Sequence, residues 1–299
     1  MASGRALAGI GAVVAATFLW STNIFFGKLL LENVAPFTLS FLRQISTVAA
    51  ALPLMAWAGV PAWRAARERW VLLAVIGLTG FAIPHTLIYV ALRHATAINV
   101  AILNSLVPAL VVAIGVVAFG LKARPALLAG IAVSGAGALV IVSGGDPGRL
   151  ADFAFGTGEM LGLAAMVCAA LYTALSGALA REVPGAAIAA VGAVAGAVVL
   201  APLAAWEVAS GLPMTFDGPT VVGVAYVGIF PSAVAMVAWS VAIRRLGPER
   251  ASQGVHLIPV FTAALAVAAL GERVMAYHLL AVALIVAGIW IARRAGGRT

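Results

Sequence analysis

Ten stretches of this chain run for about twenty residues with almost no ionisable side chain, and no other feature limits its fold so tightly. They cover roughly 6–28, 36–58, 70–92, 97–119, 125–143, 158–180, 186–206, 220–243, 250–271 and 275–293, each bounded by charged, glycine or proline clusters. A helix of about 20 apolar residues crosses the roughly 30 Å hydrocarbon core of a bilayer. The runs are continuously apolar rather than alternating, which excludes the strands of a membrane β-barrel. With 64% hydrophobic and 9% charged residues over 299 positions, too few ionisable groups remain to cover a water-soluble surface. The expected fold is therefore an all-α polytopic membrane protein of ten transmembrane helices, with short loops and no sizeable soluble domain. The first run is longer than the apolar core of a secretory signal and is read as the first span. The single cysteine, Cys168, permits no internal disulfide.

The basic residues sort by side. One side carries Arg5, Arg64, Arg67, Arg69, Lys122, Arg124, Arg181, Arg244, Arg245, Arg250, Arg293, Arg294 and Arg298, thirteen in all. The other carries four, Lys28, Arg93, Arg149 and Arg273. An excess of Lys and Arg marks the cytoplasmic face, so both termini are expected there. The net charge of +8 is then a topology signal and not a nucleic-acid footprint. The expected partners are a lipid bilayer and a small-molecule substrate, with no nucleic acid. Arg43 is the exception, seven residues inside the second run. It either snorkels to the interface or is a buried cation, holding a substrate carboxylate or a structural partner such as Glu159.

The chain also repeats itself. At an offset of 151, Pro108 meets Pro259, Gly120 meets Gly271, Arg93 meets Arg244, and Ala136-Gly137 meets Ala287-Gly288. At an offset of 152, Leu19-Trp20-Ser21 lies over Leu171-Tyr172-Thr173. This divides the chain into two repeats of five spans, 1–147 and 148–299. Five is odd, so the second repeat enters the membrane from the opposite side. Inverted repeats are a recurrent basis of alternating access, which points to a transporter.

Helix breakers fall at related places in both halves. Gly80, Pro84 and Pro108 interrupt spans three and four, while Pro231 and Pro259 interrupt spans eight and nine. Such residues are tolerated at membrane depth beside protein or a water-lined cavity, and these five are the candidate hinges. Polar and aromatic side chains gather on the same helices and on spans one and six. The candidate substrate-binding residues are Trp20, Asn23, His85, Tyr89, Asn99, Asn104, Tyr172, Ser232, Trp239, Gln253 and His256. His85 and Tyr89 share a helix face at i,i+4, as do Ser252 and His256. Polar groups this deep face a cavity or bond a neighbouring helix. The four aromatics offer flat apolar surface with a polar edge, suited to an amphipathic solute, although Trp239 also fits an interfacial belt. Gly158-x-x-x-Gly162, Gly192-x-x-x-Gly196 and the Ala-x-x-x-Ala-Gly faces ending at Gly137 and Gly288 allow helices to approach closely.

No phosphate loop, clustered metal ligands or nucleophile elbow occurs. An ATP-driven pump and an enzyme are thereby disfavoured, and no metal or cofactor is expected. No Asp sits in a span, so any proton relay would fall to a histidine.

Leu19-Trp20-Ser21, Pro36 with Arg43, Gly158-Glu159-Met160-Leu161 leading to Ala170-Leu171-Tyr172, and Pro108/Gly120 with Pro259/Gly271-Glu272 together resemble the EamA-like members of the drug/metabolite transporter superfamily. The resemblance covers essentially the whole chain, which is similar in layout to YddG-type exporters of aromatic amino acids. It departs from the family pattern at Ser21, where Gly is common, and lacks the usual sixth-span Trp near Cys168. The resemblance implies secondary export of amino acids or similar metabolites across the bacterial inner membrane. The alternatives are a proton-coupled exporter of cationic or aromatic drugs, or a channel or lipid-flipping protein.

Overall fold

The computed structural model describes residues 2–120, 125–151, 155–179, 183, 185–246 and 253–296. Among these the chain is helical throughout, apart from turns and an isolated antiparallel bridge between Val34 and Met214. The helices are α1 (Ala2–Leu30), α2 (Pro36–Ala58), α3 (Val60–Glu68), α4 (Trp70–Gly77), α5 (Ile83–Leu92), α6 (Ala97–Asn104), α7 (Val107–Phe119) and α8 (Pro125–Val142). They continue as α9 (Pro147–Ala151), α10 (Thr157–Leu179), α11 (Gly185–Ala209), α12 (Gly218–Gly228), α13 (Ala235–Leu246), α14 (Leu257–Ala269) and α15 (Ala276–Gly296).

Five helical segments are long and apolar enough to cross a bilayer: Leu7–Leu30, Pro36–Trp57, Trp70–Leu92, Ala186–Ala209 and Gly218–Trp239. α6 and α7 form a sixth apolar segment bent by 40° at Ser105 and Leu106. Four shorter apolar helices lie at Leu128–Val142, Thr157–Thr173, Gly254–Ala269 and Ala276–Ile291. Among the described residues, five of the ten expected spans, or six with the bent pair, thus have the length of a crossing, and three segments depart from regular α-geometry. α4 passes into α5 through a π turn at Leu78–Ala82, and α12 passes into α13 through another at Ile229–Val234. α14 is preceded by a 3₁₀ turn at Gln253–His256. The π turns begin 151 residues apart and contain the expected hinges Gly80 and Pro231. Pro84 lies in the first turn of α5, just past the first π turn, Pro108 lies in the first turn of α7 after the bend, and Pro259 lies in the first turn of α14.

The loop expected after the second run contains the short helix α3. Ala62 on it is fully buried while Trp63 is half exposed, and Trp57 and Trp70 at its flanks are exposed. Arg64, Arg67 and these tryptophans have the composition of an interfacial helix, with apolar rings and basic groups at the headgroup level.

The helices pack in reciprocal pairs. α1 lies against α13 and α14, while α10 lies against α5 and α7. α2 pairs with α11, α8 with α15, and α6 with α14. Small residues set the closest crossings, as expected where packing rather than the hydrophobic effect joins helices in lipid. Gly158 rests on Ala91 and Ala95, and Gly162 on Leu103. Gly137 of α8 rests on Ala281 and Ile285 of α15, and Gly288 of α15 rests on Gly130 and Ser134 of α8.

Carboxylates cap helix N-termini across the chain. Glu207 accepts the amides of Phe37 (3.1 Å) and Thr38 (2.7 Å) at the start of α2, together with the Thr38 hydroxyl (2.8 Å). Glu272 accepts those of Ala97 (2.7 Å) and Ile98 (3.0 Å) at the start of α6. Each neutralises orphan N–H groups and the positive end of a helix dipole. The Lys28 ammonium donates to Leu92 O and Ala95 O (2.9 Å for the latter), and Arg93 donates to Leu31 O at 2.7 Å, tying the adjacent ends of α1 and α5 together.

Candidate functional site

The π turn at Ile229–Val234 sets the geometry of the interior. Wide hydrogen-bond spacing there brings the Ser232 hydroxyl onto Val227 O at 3.2 Å, five residues back. Gly228 permits α12 to cross α2 closely, since a side chain at that position would strike Ser46 and Arg43 O. Thr47 joins the two helices by donating to both Arg43 O (2.8 Å) and Gly228 O (3.1 Å). Arg43 is thereby placed opposite the turn, 1% exposed, with Nη2 donating to Ser232 Oγ at 2.8 Å. Snorkelling is therefore excluded in this structure. The expected partner Glu159 lies elsewhere: it accepts from Asn99 Nδ2 at 2.8 Å. A helix has one azimuth, and the α2–α12 crossing turns Arg43 toward Ser232, not toward the start of α10.

Arg43, Gln44, Thr47, Phe81, Ser232 and Met236 line a small enclosed cleft. Beside it, Tyr89 is fully buried and its hydroxyl donates to Asn23 Oδ1 at 2.9 Å, linking α5 to α1. His85 Nδ1–H donates to Phe81 O at 2.7 Å, a carbonyl of the first π turn. Tyr172 of α10 lies across Gly80, where a Cβ would come 2.2 Å from its ring, and its ring meets Phe81 edge-on at 5.3 Å. Trp20 and Trp239 pack ring to ring at 5.1 Å between α1 and α13.

The interior thus collects Asn23, Arg43, His85, Tyr89, Tyr172 and Ser232 from α1, α2, α5, α10 and the second π turn. Asn99 belongs to a separate cluster. Its Oδ1 accepts from His278 Nε2 (2.8 Å) and the Tyr277 hydroxyl (3.3 Å), while its amide donates to Glu159. Met275 N donates to His278 Nδ1 at 2.9 Å, so His278 is the neutral Nε2–H tautomer. Asn104 closes α6 at the bend and is half-buried, and His256 is half-buried at the end of the 3₁₀ turn. The side chain of Gln253, and Ser252 altogether, lie outside the described residues, as do Lys122, Arg124, Arg181, Arg250 and Arg298 of the charge sorting.

Gln44 was not among the expected residues, although a glutamine beside an arginine inside an apolar run is signal enough to find it. Tyr226 was also missed; its hydroxyl meets that of Thr22 at 2.9 Å, and its ring packs on Phe26 at 4.8 Å and Phe230 at 5.1 Å. Among the described residues no group of three His, Cys, Asp or Glu could hold a metal ion.

Several long apolar helices, two of them interrupted by π turns that begin 151 residues apart, define a multi-pass membrane protein. Residues 7–143 and 156–294 each match the EamA-like transporter family, and the chain belongs to that family, whose members are transporters and not enzymes. It is 30% identical over 282 residues to an uncharacterised transporter of Archaeoglobus fulgidus, covering 91% of this chain and 93% of the relative. It is 28% identical over 229 residues to a probable terminal-alkyne amino-acid exporter of Streptantibioticus cattleyicolor, covering 75% of this chain and 73% of that one. A solved crystal structure superposes with a TM-score of 0.63 at 25% identity, covering 98% of this chain and 99% of its own.

Proposed function

We propose that this chain is a secondary transporter exporting amino acids, aromatic or amphipathic, or similar small metabolites, across the bacterial inner membrane by alternating access. It crosses the membrane ten times with both termini in the cytoplasm, as inverted repeats 1–147 and 148–299. The observation that carries this reading is the pair of π turns at Leu78–Ala82 and Ile229–Val234, begun 151 residues apart and both bordering the polar interior. The reciprocal contacts support it. Gly137 touches positions 281 and 285, Gly288 touches 130 and 134, and an offset of 151 exchanges the two sets. The pairing of α1 with α13 and α14 likewise corresponds to that of α10 with α5 and α7. A carrier whose halves exchange conformations needs weak points at equivalent depths, because rocking one half bends its helices where the backbone ladder is already loosened.

The interior residues take roles in this scheme. Asn23, His85, Tyr89 and Ser232 orient the polar part of the solute, and Trp20, Tyr172 and Trp239 cover its side chain. Asn99, Asn104, Gln253 and His256 line the path along spans four and nine. Gly80, Pro84, Pro108, Pro231 and Pro259 are the hinges. The amino-acid export named for the Streptantibioticus relative supports this choice of substrate class.

Counterflow in liposomes tests the function. Purified protein preloaded with unlabelled aromatic amino acid should accumulate the labelled form saturably, with trans-stimulation. Flux without saturation or trans-stimulation indicates a channel. A proton-coupled drug exporter is a second reading, favoured by His85, a histidine inside the helical interior whose Nδ1–H is held on Phe81 O. It predicts that an imposed pH gradient drives uptake of cationic aromatics and that His85→Ala abolishes the effect.

A further inference from the structure

The cleft between α2 and the Ile229–Val234 turn holds a buried cation, Arg43. Among the described residues no carboxylate pairs with Arg43; its Nη2 is taken by the neutral Ser232 hydroxyl, and its buried Nε–H has no acceptor. Gln44, also 1% exposed, leaves both Oε1 and Nε2 without a partner. Both side chains line the same cleft, walled by Phe81 and Met236. Buried polar groups are nearly always hydrogen-bonded, and an isolated ammonium or guanidinium in apolar surroundings is the costliest kind to leave unpaired. Three open donor or acceptor atoms thus sit on two neighbouring side chains that line one cleft.

We propose that Arg43 and Gln44 form the carboxylate subsite of the transported solute. The inference rests on the amino-acid export reading and specifies where the solute's head group sits. The Arg43 Nε–H and the Gln44 Nε2–H donate to the two carboxylate oxygens, a charge-assisted arrangement suited to a planar guanidinium. Gln44 Oε1 is left as an acceptor for the solute's ammonium group, and Phe81 and Met236 receive the first carbons of its side chain. The enclosed space in this conformation is that of about one water molecule. Loading therefore requires α2 and the π turn to part, which couples head-group binding to the bend at Pro231. The π turn serves this end because Ser232 anchors on Val227 O and can release Arg43 without losing its own hydrogen bond.

The test is ligand-dependent thermal stability of the full-length protein in detergent, with 3-phenylpropionate and its neutral amide as paired probes. The carboxylate should raise the midpoint of the wild type, and the amide should require at least a tenfold higher concentration. Arg43→Gln should abolish the response. Arg43→Lys should weaken it about tenfold by losing the planar fork. Gln44→Leu, which removes no charge and is the variant safest for folding, should weaken it several-fold. Equal response to acid and amide, no response in the wild type, or an unaltered response in both Arg43→Lys and Gln44→Leu would overturn the subsite. Amino-acid counterflow is run in parallel. Its absence beside an Arg43-dependent carboxylate response overturns the export reading alone. Counterflow that persists unchanged in Arg43→Gln overturns the subsite alone.

Discussion

The backbones of Gly77 in α4 and Gly192 in α11 cross in direct contact: a Cβ on Gly77 would lie 2.0 Å from the Gly192 Cα, and a Cβ on Gly192 would lie 2.5 Å from the Gly77 Cα. Gly196, one turn on, admits Ala82 and the Gln44 side chain in the same way. This crossing presses the first π turn against α11 and so sets the width of the interior. Gly192→Val should lower the thermal midpoint in detergent by the equivalent of about 1–3 kcal/mol, the usual cost of overpacking. Gly11, with open space at its Cβ, is the control and should tolerate Ala unchanged.

The hydrogen bond from Tyr89 to Asn23 joins two helices in the interior, where the alternative is an unpaired amide oxygen. Tyr89→Phe should cost about 0.6 kcal/mol in a double-mutant cycle with Asn23→Ala, the average for interhelical bonds in membrane proteins. A coupling energy indistinguishable from zero in thermal unfolding would show that the pair contributes nothing.

The rings of Trp20 and Trp239 meet at 5.1 Å, tilted by 54°, between α1 and α13. Trp20→Ala should raise the KM for aromatic amino acids about three- to tenfold, following the roughly 0.5–1.5 kcal/mol of a favourable ring contact, while aliphatic substrates change less. Initial-rate counterflow with phenylalanine and alanine makes the comparison, and equal losses for both would remove the rings from substrate recognition.

Glu272 and Glu207 hold helix N-termini from the opposite half of the chain, α6 and α2 respectively. Glu272→Ala should lower stability by about 1 kcal/mol, the value of a typical N-cap, and Glu207→Ala should behave alike. The readout is again the thermal midpoint; a neutral effect at both sites would mean that water caps these helices as well.

Asp217 starts α12 outside the membrane, and hydrogen bonds from the Thr220 side chain and amide hold its carboxyl below its ordinary value of 3.8. A depressed folded-state pKa stabilises above the unfolded value, and the stabilisation is lost as pH falls through the folded one. The midpoint difference between wild type and Asp217→Asn should therefore be constant near neutrality and shrink below about pH 4. A difference that grows on acidification contradicts the cap.

The apolar runs predict the helices closely, because the bilayer demands a fixed length of internally bonded backbone and little else satisfies it. The bend at Ser105 and Leu106 and the exchange of Glu159 from Arg43 to Asn99 were not readable in that way. A helix that is apolar all round has no stripe to report its azimuth, so a cation and a neutral amide are equally compatible partners for one carboxylate in the pattern. Gly80 and Pro231 marked where the ladder loosens, yet nothing local distinguishes a π turn from a kink.

By itself, then, the sequence determined the places of the apolar segments, the 151-residue offset between halves and the small residues at the crossings, all of which follow from composition along one dimension. Tertiary structure decided which polar atoms meet: Tyr89 with Asn23, Arg43 with Ser232 and Asn99 with Glu159. Those pairings depend on how each helix is rotated about its axis and how near glycine lets its neighbour come, and both are set only when all the helices pack at once.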